Sequence, residues 1–282
     1  MSNQISKTLV FDGQVRLYFV NNTELVQELF DLHGNTPLPL KVMLGKTVSA
    51  MSILSGTLKG KERMNLQVTM SQQAYQLFAE AEASGNIRGY LNEKLLKAEG
   101  FENAPTKDII GPSGRIRVIK GSGMNQFTSF TAMLNQDIDL DIANYFAQSD
   151  QTPTFIQTDI QLNENGEIQS SNAVYAQLLP GASTTLLSIV KRAFSQQTNL
   201  VSRLNTALPE ELEGLFGNVK LIGSSSTQFF CGCTKEMFYG MLLSMNEEEM
   251  KLAIEKNEEI EAFCHICGKT YYFDQQDLFN LL

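Results

Sequence analysis

Apolar and polar residues alternate at Val15, Arg16, Leu17, Tyr18 and Phe19, which is the period of a half-buried strand, and Asp12-Gly13 just ahead supplies a turn. The period then changes. Thr23 has the side chain of an N-cap, Leu25, Val26, Leu29 and Leu32 follow at helical spacing, and Gly34 stands where a helix stops, so a helix is predicted over residues 23–33. Beyond Pro37 and Pro39, Met43, Leu44, Val48, Met51, Leu54 and Leu58 form a broad apolar stripe among small residues such as Ala50, Ser52 and Ser55. A helix over residues 40–58, buried on most sides, is expected.

Strand-like runs follow at residues 64–70, 115–120, 125–131, 155–162 and 173–179, with helical patterns at 72–81 and 139–148. This mixture predicts an α+β body closed by Pro180-Gly181. From Ser183 the pattern becomes purely helical, with Leu186, Leu187, Val190 and Phe194, then Leu200, Val201, Leu204 and Leu208. Pro209 suits the first turn of a short helix ending near Phe216, with Gly217 as its cap. The stripes are most simply core-facing. Near the end, residues 260–263 and 270–273 read as a hairpin, Thr234 as the cap of a helix over 235–243, and Asn246 with Glu249 as the start of a helix through Ile254. Phe238, Leu242, Met250 and Ile254 are expected to pack over that hairpin. The chain thus divides into an α+β core domain over residues 1–181, a helical linker over 182–228 and a small C-terminal α+β module over 229–282.

Charge narrows the function. With 22 basic and 31 acidic side chains the formal net charge is -9, which repels a nucleic-acid backbone, and no Lys/Arg run offsets it. No run of about 18 apolar residues occurs, and residues 1–12 lack a signal-peptide pattern, so a cytoplasmic protein without a membrane partner is expected. Thiols stay reduced in that compartment. Four cysteines there read as metal ligands or redox groups sooner than as structural disulfides.

Those four carry the chemistry. Cys231-Gly232-Cys233 is followed, after 30 intervening residues, by Cys264-His265-Ile266-Cys267-Gly268. Two close pairs suit a tetrahedral thiolate site, because each short loop wraps half of the coordination sphere, and Gly232 and Gly268 allow the tight backbone turns this needs. The spacing predicts one zinc ion per chain, held in the reduced state by Cys231, Cys233, Cys264 and Cys267. A module of about 50 residues has a core worth roughly 3 to 5 kcal/mol. Structural zinc contributes about 10 to 16 kcal/mol in finger peptides, so the module should depend on the ion.

Other candidates fade on inspection. Four protein ligands leave no open position for catalytic water. His265 reads as a solvated bystander and His33 as a helix-end residue. Gly45-Lys46-Thr47 resembles the end of a phosphate-binding loop, but Leu40 occupies the place of the first glycine. Gly111-Pro112-Ser113-Gly114 lacks nucleophile-elbow spacing, and no acid/base pair stands out, so an enzyme is not expected. From the residues alone, a permanently structural zinc module and a zinc-ribbon nucleic-acid binder remain alternatives to an oxidation switch.

The cysteine pattern, embedded in Phe229-Phe230-Cys231-Gly232-Cys233-Thr234-Lys235-Glu236 and in Cys264 to Gly268 with Tyr271, Tyr272 and Phe273 behind it, resembles the heat shock protein 33 family of redox-regulated chaperones. Leu44-Gly45-Lys46-Thr47, Ile87-Arg88-Gly89-Tyr90, Ser149-Asp150-Gln151-Thr152-Pro153 and Leu178-Leu179-Pro180-Gly181 extend the likeness over nearly the full length. The chain departs from the family around Met70 to Ala74, where a glycine-rich turn is missing, and at Ser171-Asn172-Ala173 in place of Ala-Gly-Gly. The resemblance implies an ATP-independent holdase, quiescent while the four thiolates bind zinc. Oxidants such as peroxide or hypochlorous acid would pair Cys231 with Cys233 and Cys264 with Cys267, with loss of zinc. It further implies unfolded client proteins as partners, bound by linker surface such as Leu186, Val190 and Phe194, and a reduced monomer that becomes a homodimer on oxidation.

Overall fold

In the computed structural model, which describes residues 3–34, 36–197, 199–203 and 209–281, the turn at Asp12-Gly13 closes a hairpin. Strand β1 (Gln4–Val10) pairs antiparallel with β2 (Val15–Asn21), and Gly13 takes a φ of 84° that a residue without Cβ adopts easily. Strands β8 (Thr154–Leu162), β9 (Ile168–Leu178) and β10 (Lys220–Ser226) complete a five-stranded antiparallel sheet in the order β10-β1-β2-β9-β8. A second sheet is built from β3 (Arg63–Thr69), β4 (Gln76–Glu82), β5 (Asn86–Leu91), β6 (Arg115–Ser122), β7 (Asn125–Ala132) and β11 (Gln228–Phe229). Its order is β11-β5-β4-β3-β6-β7, antiparallel except where β11 runs parallel to β5.

The helix Leu38–Ser55 lies between the sheets, against β4 and β5 of one and β8 and β9 of the other. That position explains its composition. Leu40, Met43, Leu44, Val48, Met51 and Leu54 are buried among Leu66, Val68, Leu77 and Tyr175, and the polar residues between them bond inward. Thr47 and Ser52 donate to the carbonyls of Met43 and Val48, while Asn22 Nδ2 donates to Ser49 and Ser52 at 3.1 Å each. Ser171, one of the departures from the family pattern, joins the same network by donating to Asn22 Oδ1 at 2.9 Å. Buried polar groups with partners cost little, so a helix can be enclosed on all sides without being wholly apolar.

A second core covers the opposite face of the first sheet. Val15, Leu17, Phe19, Val174 and Ala176 meet Leu187, Val190, Phe194, Leu200, Leu212 and Phe216 from the helices Thr184–Gln196, Leu200–Arg203 and Pro209–Phe216. The predicted stripes therefore face inward, with Leu186 half-buried at the margin; Leu204 and Leu208 lie outside the described residues. Contacts divide the chain into two compact units, Met1–Phe230 and Cys231–Leu282. The first contains the segment read as a helical linker, in which β10 is a strand paired with β1.

Several expectations need correction. Residues 72–81 were expected to be helical, yet they hold a turn and most of β4, where Leu77, Ala79 and Ala81 face the core in strict alternation. Ala, Glu and Leu favour helices in isolation, and strand pairing on both sides overrides that preference here. Thr23 is the first helical residue rather than the N-cap, which is Asn22. Thr23 Oγ1 instead accepts from the Ser171 N–H at 3.0 Å.

Gly89 of β5 packs against the central helix, and a Cβ there would lie 2.6 Å from Val48 Cγ2 and 3.1 Å from the Phe78 carbonyl oxygen. Gly89→Ala is expected to lower the urea midpoint by an amount equivalent to about 1–3 kcal/mol through overpacking. Gly214→Ala, with no atom within 4 Å of the added Cβ, should leave the midpoint unchanged or raise it slightly.

Candidate metal centre

In the second unit the two cysteine pairs come from two loops. Cys231-Gly232-Cys233 precedes the turn of 3₁₀ helix Lys235–Phe238 and the short helix Tyr239–Leu242, and Cys264 to Cys267 form the tip of the hairpin β12 (Ile260–Phe263) and β13 (Thr270–Phe273). Gly232 and Gly268 take φ values of 69° and 70°, each at the bend its loop requires. The Cys264 N–H donates to the Lys269 carbonyl and the Gly268 N–H to the Cys264 carbonyl, both at 2.8 Å, which fixes the second loop.

These turns bring four sulfurs together. Cys231 and Cys264 Sγ are 3.5 Å apart, Cys233 and Cys267 Sγ are 3.4 Å apart, and all four lie within 4.8 Å of one another. Four sulfurs bound to one ion at about 2.3 Å sit about 3.8 Å apart in a tetrahedron, so the donor set fits a thiolate-bound metal. Backbone N–H groups complete the fit: those of Cys233 and Lys269 face the sulfurs of Cys231 and Cys267 and favour their ionised forms.

Burial pushes Cys231 up, and its hydrogen bond to Cys264 adds to the rise; burial also raises Cys267. Burial acts the same way on Cys233, but hydrogen bonds from the Tyr271 hydroxyl and from the other three thiols outweigh it and bring that thiol down to about 7. Four adjacent thiolates need a multivalent cation among them.

The surroundings hold the loops in place. The Tyr271 hydroxyl donates to the Cys233 carbonyl at 2.8 Å and lies 3.2 Å from Cys233 Sγ, and the Phe238 ring packs on Tyr271 at 5.1 Å. Leu242, Ala262, Phe273 and Leu278 form the small core beneath, with Phe238 and Ile254 against it and Met250 buried nearby. Asn246 starts the helix Glu247–Lys256, its side chain accepting from the Glu248 N–H rather than from Glu249 as the capping pattern predicted. His265 is exposed and stacks edge-on against Phe263, outside the sulfur cluster. His33 is buried at its helix end. Gly45 sits inside the Leu38–Ser55 helix against Phe30 and Ile160, and Lys46 pairs with Asp139 at 3.6 Å, so that motif serves packing.

A supporting cluster escaped the sequence reading. Asp277 accepts from Lys235 Nζ at 2.6 Å and from the Tyr239 hydroxyl at 3.0 Å, and it forms a capping box with Asp274 at the start of the helix Gln275–Phe279. The available signal was Asp274-x-x-Asp277 before Leu278.

The Hsp33 protein family matches residues 3–274, which spans both units and every cysteine. The chain belongs to the Hsp33 family. It is 28% identical over 289 residues to the 33 kDa chaperonins of Bacillus cereus strain B4264 and of Bacillus anthracis strain CDC 684, covering 100% of this chain and 99% of each relative. Its fold is similar to that of a 33 kDa chaperonin, a heat shock protein 33 homologue, from Thermotoga maritima. The TM-score is 0.84 at 21% identity, covering 100% of this chain and 98% of the other. Hsp33 proteins are chaperones rather than enzymes, and binding of unfolded client proteins follows from membership. Among the described residues no helix is long and apolar enough to cross a membrane.

Lys235 holds the Asp277 carboxyl below the ordinary carboxylate range. Its stabilising contribution is therefore complete above about pH 4 and is lost as pH falls through the lowered value. Asp277→Ala should weaken the module by about 1–2 kcal/mol. The measurement is faster amide exchange across Gln275–Phe279 at pH 7, with the difference from the parent shrinking below about pH 4.

Proposed function

We propose that this Hsp33 protein is an ATP-independent holdase that is quiescent while reduced and becomes active on oxidation. The observation that carries the reading is the convergence of Cys231, Cys233, Cys264 and Cys267 within 4.8 Å at the tip of a module with a very small core. We assign one Zn²⁺ per chain to these four, because a closed all-thiolate tetrahedron is a zinc arrangement. Bound there, the ion supplies cohesion that the small core lacks.

Oxidation removes the ligands. Two thiolates lose two electrons and form a disulfide, and a peroxide molecule takes those electrons and, with two protons, leaves as two waters. Two such steps, pairing Cys231 with Cys233 and Cys264 with Cys267, leave no thiolate to hold a cation. Cys231 and Cys264 Sγ, at 3.5 Å, and Cys233 and Cys267 Sγ, at 3.4 Å, are also in contact, as a tetrahedron makes all six separations similar. Pairing is then decided by which loop stays intact as the module opens.

The linker over residues 182–228, between the core domain of residues 1–181 and the module of residues 229–282, connects this event to client binding. Val190 and Phe194 are buried against the first sheet and Leu186 is half-buried there, so they bind clients only if the helix Thr184–Gln196 lifts away. Client contact then buries apolar area at about 25 cal/mol per Å². The acidic net charge of -9 opposes self-aggregation and association with nucleic acid. A cytoplasmic location, a reduced monomer and an oxidised homodimer complete the proposal.

Aggregation of a heat-unfolded model client tests it, followed by light scattering. Peroxide-treated protein is expected to suppress scattering at stoichiometric amounts and reduced protein to suppress it weakly; equal protection from both would point to a permanently structural module. Cys231→Ser with Cys233→Ser should abolish the oxidant response while the Leu38–Ser55 core stays folded. Peptide mapping of the oxidised protein should find Cys231–Cys233 and Cys264–Cys267, and a Cys231–Cys264 bridge would overturn the pairing.

A further inference from the structure

Edge strands carry unpaired N–H and C=O groups and invite other chains to add on, so folded proteins blunt them. Three of the four sheet ends in the first unit are blunted. At β8, Asp139 caps the Thr158 N–H at 3.0 Å and the pairing is irregular between Gln161 and Leu162. At β10 the strand begins with Lys220, and its register with β1 shifts between Lys7 and Thr8. At the β5 side, the two-residue β11 covers the edge.

The fourth end, β7, has none of these devices. It pairs with β6 in unbroken register from Arg115 opposite Ala132 to Ser122 opposite Asn125, and among the described residues no strand lies on its other side. Residues 121–136 contain no charged side chain in a chain of net charge -9. Phe127 and Phe130 are 77% and 61% exposed, and Met124 at the hairpin tip is fully exposed. The two rings lie on opposite faces of the sheet. Phe127 stands opposite Lys120, on the side of buried Ile116 and Val118 but beyond the core, whereas Phe130 stands opposite Arg117, whose guanidinium lies 5.9 Å from the ring.

We infer that the free edge of β7 is a docking strand for an extended, uncharged, apolar segment of an unfolded client, which adds to the six-stranded sheet by backbone hydrogen bonds. Aromatic rings above and below the same edge suit an added strand, whose alternate side chains fall on both faces. An added helix would meet only one of them. Neutrality of the edge admits apolar segments without stranding a charge. The neighbouring cations Arg115 and Arg117 disfavour a second copy, which would bring the same two charges to the seam. This docking mode requires an N–H on the client backbone, so it selects against proline-rich segments.

The inference rests on client binding by this chaperone, and the test separates the two. Full-length protein, peroxide-treated as in the aggregation assay, is titrated with a fluorescent ten-residue peptide of alternating valine and threonine, and with the same sequence fully N-methylated. The unmethylated peptide is expected to bind, with affinity at least about tenfold higher than its N-methylated form. The double variant Phe127→Lys, Phe130→Lys should lose about tenfold in affinity for the unmethylated peptide. Leu140→Lys, also at an exposed apolar residue but on the helix Ile138–Gln148, should change it less than about twofold. Equal binding of the two peptides, or of variant and parent, overturns the inference. So does a parent that protects a client from aggregation but binds neither peptide, an outcome that leaves client binding intact elsewhere. A parent that neither binds nor protects overturns the chaperone reading as well. Conversion of a parent dimer to a monomer by the double variant, with peptide binding unchanged, would assign the edge to self-association instead.

Discussion

Attraction between four clustered thiolates and one cation is the constraint on which, in the proposed reading, the C-terminal module depends. Sulfurs held 3.4–3.5 Å apart in pairs cannot all ionise in isolation, and they cannot bind a cation unless they do. The two glycines at positive φ, the backbone N–H groups aimed at sulfur and the Tyr271 hydroxyl all bring the loops toward that arrangement. Further adhesion comes from the small core around Leu242, Phe273 and Leu278, the side chains packed against it and the ion-paired cap at Asp277. On the proposed reading, a fold of this kind is conditional on the oxidation state of its sulfur.

The larger unit is built on the opposite plan. Its central helix is enclosed by two sheets, Ser49 and Ser52 of that helix are satisfied internally, and its cohesion is distributed over many residues. On the proposed reading, loss of the module leaves such a core intact. The second core, formed by the helices after Ser183 on the outer face of the first sheet, is thinner and one-sided. In a chaperone this division is useful, because apolar surface can be stored on a stable platform and released without unfolding the platform.

The cysteine site was legible because its information is local: two short spacings and two glycines state the geometry. The central helix was legible too, since its apolar stripe is long, though its start after Pro37 rather than Pro39 and its end at Ser55 rather than Leu58 were not. Strands β1 and β10 were not, because Ser6, Lys7 and Thr8 and the run Gly223 to Ser226 lack alternation, and what makes them strands is pairing with each other across nearly the whole chain. β4 was misread because Ala79, Glu80 and Ala81 have helical preferences that two flanking strands override. Asp277 was missed since its partner Lys235 is 42 residues away and only the folded module brings them together.

Counting metal and amide protection on the same sample tests the central claim most directly. Reduced protein should contain one zinc per chain and show slow amide exchange across β12 and β13; after peroxide has consumed all four thiols, the zinc should be gone and that hairpin should exchange freely, with the Leu38–Ser55 helix still protected. Reduced protein without bound metal, or a hairpin that stays protected with every thiol oxidised, would contradict the account.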